Sequence, residues 1–383
     1  MSNKKKILLF TDWYEPGYKA GGPIQSCRNF VAAMRDSFHI YIITSDRDLG
    51  DGQPYPGIGR DVWTTREPDV RVYYSGPGGL PASRIKQLVK EVGPDFVYLN
   101  SMYSYRFTIL PLWLKIRSDP GGTWIIAPRG MLHQGAIQFK SLKKKLFIRF
   151  LKSVGIPRRL IFQATDEQER KDILHYFPSA GKVVVLANFP KSDPVDWRPI
   201  DKTPGVLRCV FISRLAPKKN LLFLLNVLQQ WPAEANLLLT LRGEIEDSVY
   251  WEKCLAVIGG LPSSVTVRFE GPVPNEAVIE VLQQHHVFVL PTLGENFGHA
   301  IFEALLAGKP VLISDKTPWL QLQQKKAGHD LSLEPAAFDR ALRFYAAMDQ
   351  PEYDEWSGSA MDYAKKIQQA EGLKNEYKTQ LFS

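Results

Sequence analysis

Along the first half of the chain, short apolar runs alternate with longer stretches whose apolar positions recur every third or fourth residue. The runs "KILLFTDWY", "HIYIITSD", "VRVYYSG", "PDFVYLNS" and "TWIIAPRG" have the length and the β-branched and aromatic content of strands. Between them, "GGPIQSCRNFVAAMRDS" and "RIKQLVKEVG" carry a helical period, the first opened by a Gly-Gly turn with Pro23 in its first turn. Strands alternating with helices predict βαβ units and a parallel sheet. "FPKSDPVDWRPIDKTPG" then breaks every period with Pro and Asp and reads as a linker. After it the alternation restarts with "LRCVFISRL", "NLLFLLNVLQQW", "NLLLTLRG", "SVYWEKCLAVIGG", "VTVRFEG" and "NEAVIEVLQQHH". The pattern predicts an α/β chain of two Rossmann-like, doubly wound domains, 1–188 and 206–350. A linker (189–205) joins them, and a helical tail (351–383) is expected to pack back on the first. Ligand is expected at the carboxyl ends of the strands.

Composition narrows the class. The chain has 383 residues, 44% of them hydrophobic and 23% charged, which is ordinary for a globular protein. Cys27, Cys209 and Cys254 are far apart with no metal-ligand spacing, so neither a disulfide framework nor a zinc site is expected. The basic opening Met1–Lys6 runs straight into a strand-like segment, without the apolar core and cleavage site of a secretory signal. No apolar run approaches the ~18 residues of a membrane span. The reading is therefore cytoplasmic. A net charge of +8 and a pI near 9.2 suit an anionic partner.

Two segments of the second half carry the chemistry. "SRLAPKKN" puts Arg214, Lys218 and Lys219 at the start of a helix, with Asn220 as its expected N-cap. Cations there oppose the helix dipole, and a bound polyphosphate would reverse that penalty. The plain alternative is a solvated basic loop. "PTLGENFGHAIFEALLAGKPVLISD" reads as a loop holding Glu295 and a helix starting near Gly298. That helix buries Ala300, Ile301, Ala304 and Leu305, carries Glu303 inside it and ends at Gly308. Carboxylates accept hydrogen bonds that sugar hydroxyls donate. Acids beside an anion site fit a ligand that carries both phosphates and hydroxyls, as a nucleotide sugar does.

These segments resemble the signatures of the GT4-type family of retaining glycosyltransferases with the GT-B fold: the Glu-x7-Glu motif and the Arg/Lys phosphate loop. "YKAGGPIQS", "APRGML", "FQATDEQE", "LAN" and "FEGPVP" extend the likeness over nearly the whole chain. The resemblance implies two domains facing a central cleft and retention of anomeric configuration, with no metal or other cofactor. Arg214 and Lys219 would hold the donor diphosphate. Glu303 would hold the ribose hydroxyls and Glu295 the transferred sugar, with Asn296, Phe297 and Gly298 lining sugar and phosphate. Gly243 and Val273 fall where relatives hold the nucleotide, and Gly21 and Gly22 would let a first-domain loop approach the phosphates. A UDP-sugar is the favoured donor, and a glycan or polyprenyl-diphosphate-linked acceptor of bacterial capsule or O-antigen assembly is the implied partner.

The first domain offers Tyr103, Arg106, Arg129 and His133 near strand ends as acceptor-binding residues. His133 either orients the acceptor hydroxyl, as a catalytic residue, or is a surface or helix-capping histidine. His285 and His286 end a helix, where an imidazolium suits the dipole, and a structural role is the reading expected for both. The stretch 138–153, "QFKSLKKKLFIRFLKS", is a basic amphipathic helix with Phe139 and Lys140 near its start. It suits either a solvated basic face or an anionic membrane surface, the latter making the protein peripheral at the inner face of the cell membrane. Competing readings are a nucleotide-sugar epimerase and a non-catalytic nucleotide-sugar-binding protein. A NAD-dependent oxidoreductase is disfavoured because no GxGxxG follows the first strand. A nucleic-acid partner is not expected, because the cations form no recognised binding module.

Overall fold

The computed structural model describes residues 4–133, 141–369 and 372–383. The chain divides into two compact units, Met1–Phe189 with Glu371–Ser383, and Pro190–Ala370.

Among the described residues of the first unit, eight strands form one sheet: β1 (Lys6–Phe10), β2 (His39–Ser45), β3 (Trp63–Glu67), β4 (Val70–Ser75), β5 (Phe96–Leu99), β6 (Thr123–Ile126), β7 (Ile161–Ala164) and β8 (Lys182–Val185). Their order is β3-β4-β2-β1-β5-β6-β7-β8, so the direction of winding reverses between β1 and β5. All pairings are parallel except β3 with β4, an edge strand that the hydrophobic pattern does not announce because "WTTRE" is only half-buried. In β1 the side chains alternate between two cores. Ile7 and Leu9 pack with Phe30, Val31 and Met34 of helix Gly22–Met34. Leu8 and Phe10 pack with Ile85 and Leu88 of helix Ala82–Val92. Both faces are covered, which is why these strands read as unbroken apolar runs.

In the second unit β9 (Val206–Ile212), β10 (Asn236–Arg242), β11 (Val265–Phe269), β12 (Val287–Leu290), β13 (Val311–Ser314) and β14 (Gly328–Leu331) form an all-parallel sheet ordered β11-β10-β9-β12-β13-β14. Its winding reverses between β9 and β12, the arrangement of a doubly wound nucleotide-binding sheet.

The tail is divided between the units, not carried whole by the first. Helix Gln350–Gln368 belongs to the second unit, burying Tyr353, Trp356, Ala360 and Ala364 in its core. Ser357 Oγ donates to the Gly308 carbonyl at 2.6 Å, and Trp197 Nε1 of the linker donates to Ser357 Oγ at 2.9 Å. Tyr377, Leu381 and Phe382 instead join Ile7, Leu9 and Phe30 in the first unit. There Tyr377 Oη accepts from Gln163 Nε2 at 2.6 Å and donates to the Ala187 carbonyl at 2.9 Å.

Candidate functional site

In the second unit the chain leaves β9 at Ser213 and β12 at Pro291, on either side of the point where strand order reverses. The two loops are stitched together. Leu293 N–H donates to the Lys218 carbonyl at 2.8 Å, and Thr292 Oγ1 donates to the same oxygen at 3.2 Å. Lys219 Nζ forms an ion pair with Glu295 Oε1, both side chains being largely withdrawn from water. Glu295 N–H donates to the Lys316 carbonyl at 3.2 Å, which ties in the loop after β13.

Pro217–Lys219 form a single 3-10 turn before helix Leu221–Leu228. Asn220 does not cap that helix through its side chain, as the sequence suggested. It adopts the left-handed conformation (φ 61°), which asparagine tolerates better than most residues. Arg214 pairs with a different carboxylate, its Nη1 lying 2.7 Å from Glu246 Oε2 in the loop after β10. Gly243, at the end of β10, has φ 149°, and a Cβ there would overlap the Ser213 carbonyl. Its N–H donates to the Gly271 carbonyl at 2.9 Å, two residues before buried Val273. Gly243 therefore holds the Arg214 loop against the loop after β11 by backbone contact that a side chain would prevent.

Helix His299–Leu306 begins at Gly298 (φ 77°), whose carbonyl accepts from Ile301 and Phe302 N–H at 2.9 and 3.1 Å. Ile301, Ala304 and Leu305 are buried as the pattern predicts, whereas Ala300 is only partly buried; Gly308 (φ 69°) lies just past the helix end. Glu303 is buried one turn in, at 4% exposure. Asn296 Nδ2 is buried and has no hydrogen-bond partner among the described residues. The Phe297 carbonyl accepts from Trp319 Nε1, and the two rings pack at 5.4 Å. Trp319, which pattern reading passed over, fixes this loop; its only sequence signal is an indole in a post-strand turn, "KTPW". Lys219, Glu295, Asn296 and Gly298 thus lie on the two loops at the strand-order reversal, just ahead of helix His299–Leu306, which carries Glu303; a helix N-terminus favours an anion.

The strand ends of the first unit are likewise polar. Ser104 Oγ, after β5, donates to Asp12 Oδ1, after β1, at 2.6 Å. Burial pushes the Asp12 carboxyl above its ordinary range, although hydrogen bonds from Ser104 and Ser101 oppose this. Arg129 adopts φ 56° after β6. Its Nε donates to Asn100 Oδ1 at 2.9 Å, its Nη2 to Tyr98 Oη at 2.6 Å, and its Nη1 to Asn188 Oδ1. The guanidinium thus joins the ends of β5, β6 and β8. Glu169, fully buried, accepts from Gly130 N–H at 2.5 Å and from Thr165 N–H and Oγ1 at 2.8 and 2.7 Å. His133 Nδ1 is bonded to Asp172 of helix Glu167–Tyr176. Gly21 and Gly22 open helix Gly22–Met34, and a Cβ on either would meet nothing within 4 Å.

Two further acceptor candidates follow β5. Tyr103 packs edge-on against Phe147 at 5.9 Å, and its buried hydroxyl has no partner among the described residues. Arg106 is exposed and donates to the Pro77 carbonyl at 3.3 Å. His285 and His286 are buried rather than charged at a helix end. Burial pushes His286 down to about 3, and it is neutral, accepting from Arg208 N–H at Nδ1 and donating to the Asp201 carbonyl from Nε2. Residues 138–140, including Phe139 and Lys140, lie outside the described residues.

Comparison with known proteins bears on both units. Residues 199–329 match the family model described as glycosyl transferases group 1. The O-antigen chain mannosyltransferase B of Escherichia coli is 26% identical over 171 residues, which cover 42% of this chain and 44% of the relative. The aligned stretch thus spans less than half of that relative. In fold the chain is similar to the sucrose-phosphate synthase of Thermosynechococcus elongatus (TM-score 0.71, 16% identity, 97% of each chain covered). It is also similar to the Anabaena HepE protein in complex with UDP and glucose (TM-score 0.67, 14% identity, 97% of this chain and 98% of that one). The two-domain α/β architecture is that of GT-B glycosyltransferases.

Proposed function

From the premise that this chain is a GT4-type glycosyltransferase with a group 1 glycosyl transferase domain, we propose that it moves a hexosyl group from a nucleotide sugar, with retention of configuration. The acceptor is a glycan or a polyprenyl-diphosphate-linked saccharide of cell-surface polysaccharide assembly. The observation that carries this is the meeting of Lys219 and Glu295 where the strand order of the second sheet reverses. A cation and a carboxylate paired just ahead of two helix N-termini suit a ligand that presents phosphate and hydroxyls side by side. The UDP and glucose held by HepE, and the O-antigen role in the mannosyltransferase's name, support this choice of donor and product.

In this reading Lys219 and Arg214 stabilise the negative charge that grows on the departing diphosphate. Preorganised charge of this kind is commonly the largest single term in such a reaction. Glu303 accepts from the ribose hydroxyls, and Glu295 accepts from the transferred sugar while keeping Lys219 in place. Asn296 Nδ2, buried with no partner among the described residues, donates to the ligand. The departing phosphate takes the acceptor proton, so no protein nucleophile and no dedicated metal ion enter the step. In the first unit His133 orients the acceptor hydroxyl. Its Nδ1 is held by Asp172, which fixes the orientation of the ring and leaves Nε2 for the acceptor.

The test is calorimetry of the intact chain against UDP, GDP, ADP and their sugar conjugates, with and without EDTA. One nucleotide family should bind, insensitive to chelator, and Glu303→Ala and Lys219→Ala should each weaken it ~10-fold or more while the protein stays folded. Unchanged affinity in both variants overturns the donor site. Product formed from donor alone would mark an epimerase, and an inverted anomeric signal in the NMR spectrum of the product would overturn retention.

A further inference from the structure

We infer that the outward face of helix Ser141–Ser153 is a docking surface for a lipid bilayer bearing anionic headgroups. The inference stands apart from the donor reading, because it rests on the first unit alone.

A helix packed on a sheet needs one apolar stripe, and this one has two. At about 100° per residue, Phe147, Ile148 and Leu151 fall within one arc. Ile148 and Leu151 are buried in the first unit's core, and Phe147 packs on Tyr103. On the opposite side Leu142, Leu146 and Phe150 follow one another at four-residue spacing, each turned by only about 40° from the last. They are 71%, 55% and 38% exposed, and Val154 continues the row. Trp113 of helix Leu110–Ser118 extends it sideways, its ring 6.1 Å from that of Phe150. Folding accounts for the first stripe and leaves the second in water. Contiguous exposed apolar surface of this kind marks an interaction site.

Charge selects the partner. Lys145, Arg149 and Lys152 border the second stripe on one side and Lys143 on the other, all exposed, and the helix carries no acid. Arg117 adds a guanidinium 4.8 Å from the Trp113 ring. An apolar row between cations, with an aromatic at its margin, matches the acyl boundary and anionic headgroups of a bilayer. A second copy fits poorly, since a self-complementary contact would bring these cations against their own images. The packing of Phe147 on Tyr103, directly after β5, places the surface beside a loop at the strand ends of the first sheet.

The test is cosedimentation of the intact chain with vesicles of phosphatidylglycerol and phosphatidylcholine, against phosphatidylcholine alone. Wild type should partition onto the anionic vesicles. L142S/L146S/F150S and, separately, K145E/R149E/K152E should each lower the partition coefficient ~10-fold or more. Their thermal midpoints should hold, because these side chains face water. The charge variant keeps the apolar row intact and tests the surface even where the apolar variant folds poorly. Absence of binding to the anionic vesicles, or binding unchanged in both variants, overturns the inference. So does sedimentation velocity showing a concentration-dependent dimer that the apolar triple variant abolishes.

Discussion

Lys219 and Glu295 form an ion pair although 76 positions separate them in sequence, and they do so where the strand order of the second sheet reverses. The first sheet has a parallel device. Ser104 and Asp12 join the loops after β5 and β1, again across the reversal. In each unit a side-chain bond therefore ties together the two loops that flank the crevice a doubly wound sheet opens at this point. In the second unit the bond also pairs two shielded charges: Glu295 keeps the Lys219 ammonium from swinging into solvent, and Lys219 makes a largely buried carboxylate tolerable.

This pairing predicts non-additive mutants. Lys219→Ala leaves Glu295 without its counter-charge in a site where both side chains are mostly shielded, at a cost of ~1–3 kcal/mol. Glu295→Gln should cost a similar amount. The double variant should lose less than the sum, with a coupling of ~1–2 kcal/mol read from thermal midpoints. Catalysis should be affected more severely, kcat/KM falling ~10²–10³-fold in Lys219→Ala. Strict additivity in the midpoints would mean that the pair does not hold the loops.

Asp172 supplies a second prediction. Its carboxylate bonds His133 Nδ1, and Gln168 Nε2 supports its other oxygen at 3.2 Å. Asp172→Asn replaces an anionic acceptor with an amide that no longer enforces one tautomer of the imidazole. It should lower kcat ~10-fold or more with little change in the donor KM, and Asp172→Glu should restore part of the loss. A variant with unaltered kcat would reduce the His133–Asp172 contact to packing.

What the sequence disclosed follows from how each feature is encoded. Buried parallel strands such as "ILLF" and "VFVL" announce themselves because both faces are apolar, and Gly298 and Gly308 mark a helix start and end through conformations few other residues adopt. Edge strand β3 was illegible because half its residues face water. Trp319 was illegible because its role, a hydrogen bond to the Phe297 carbonyl, depends on a loop 22 residues away. The Arg214–Glu246 and His133–Asp172 pairs are long-range contacts that no local spacing encodes. Asn220 was misread for the opposite reason: asparagine serves both as an N-cap and as a left-handed residue, and local sequence does not say which.

Buried neutral histidines in the second unit predict acid sensitivity. Burial pushes His286 down to about 3 and His329 to about 4, below an unfolded value of about 6.5. Their contribution to stability is complete above about 6.5. It falls as pH drops from there toward about 4 and 3, because the unfolded chain then binds the protons that the folded one refuses. The slope should approach 1.4 kcal/mol per pH unit for each histidine inside that window. His286→Asn, which keeps an acceptor for Arg208 N–H, should flatten the decline in thermal midpoint between neutral and mildly acid pH. An unchanged slope would assign the acid sensitivity to other groups.

Lys309 leads to the least intuitive expectation. It directly follows the Gly308 turn; its side chain is fully buried, and its ammonium has no hydrogen-bond partner among the described residues. Burial pushes it down to about 8, Arg208 adding repulsion against weaker attraction from Asp354. A buried cation without a partner costs stability that an apolar chain of similar length does not. Lys309→Met should therefore stabilise the second unit by ~1–3 kcal/mol at neutral pH. Between about 8 and 10.4 the unfolded wild-type chain holds a proton that the folded one has released, so wild-type stability rises with pH and the advantage of methionine shrinks. Thermal midpoints at neutral and alkaline pH measure both effects. A lower midpoint for Lys309→Met at neutral pH would show that the buried ammonium stabilises the unit through a contact the folded chain makes elsewhere.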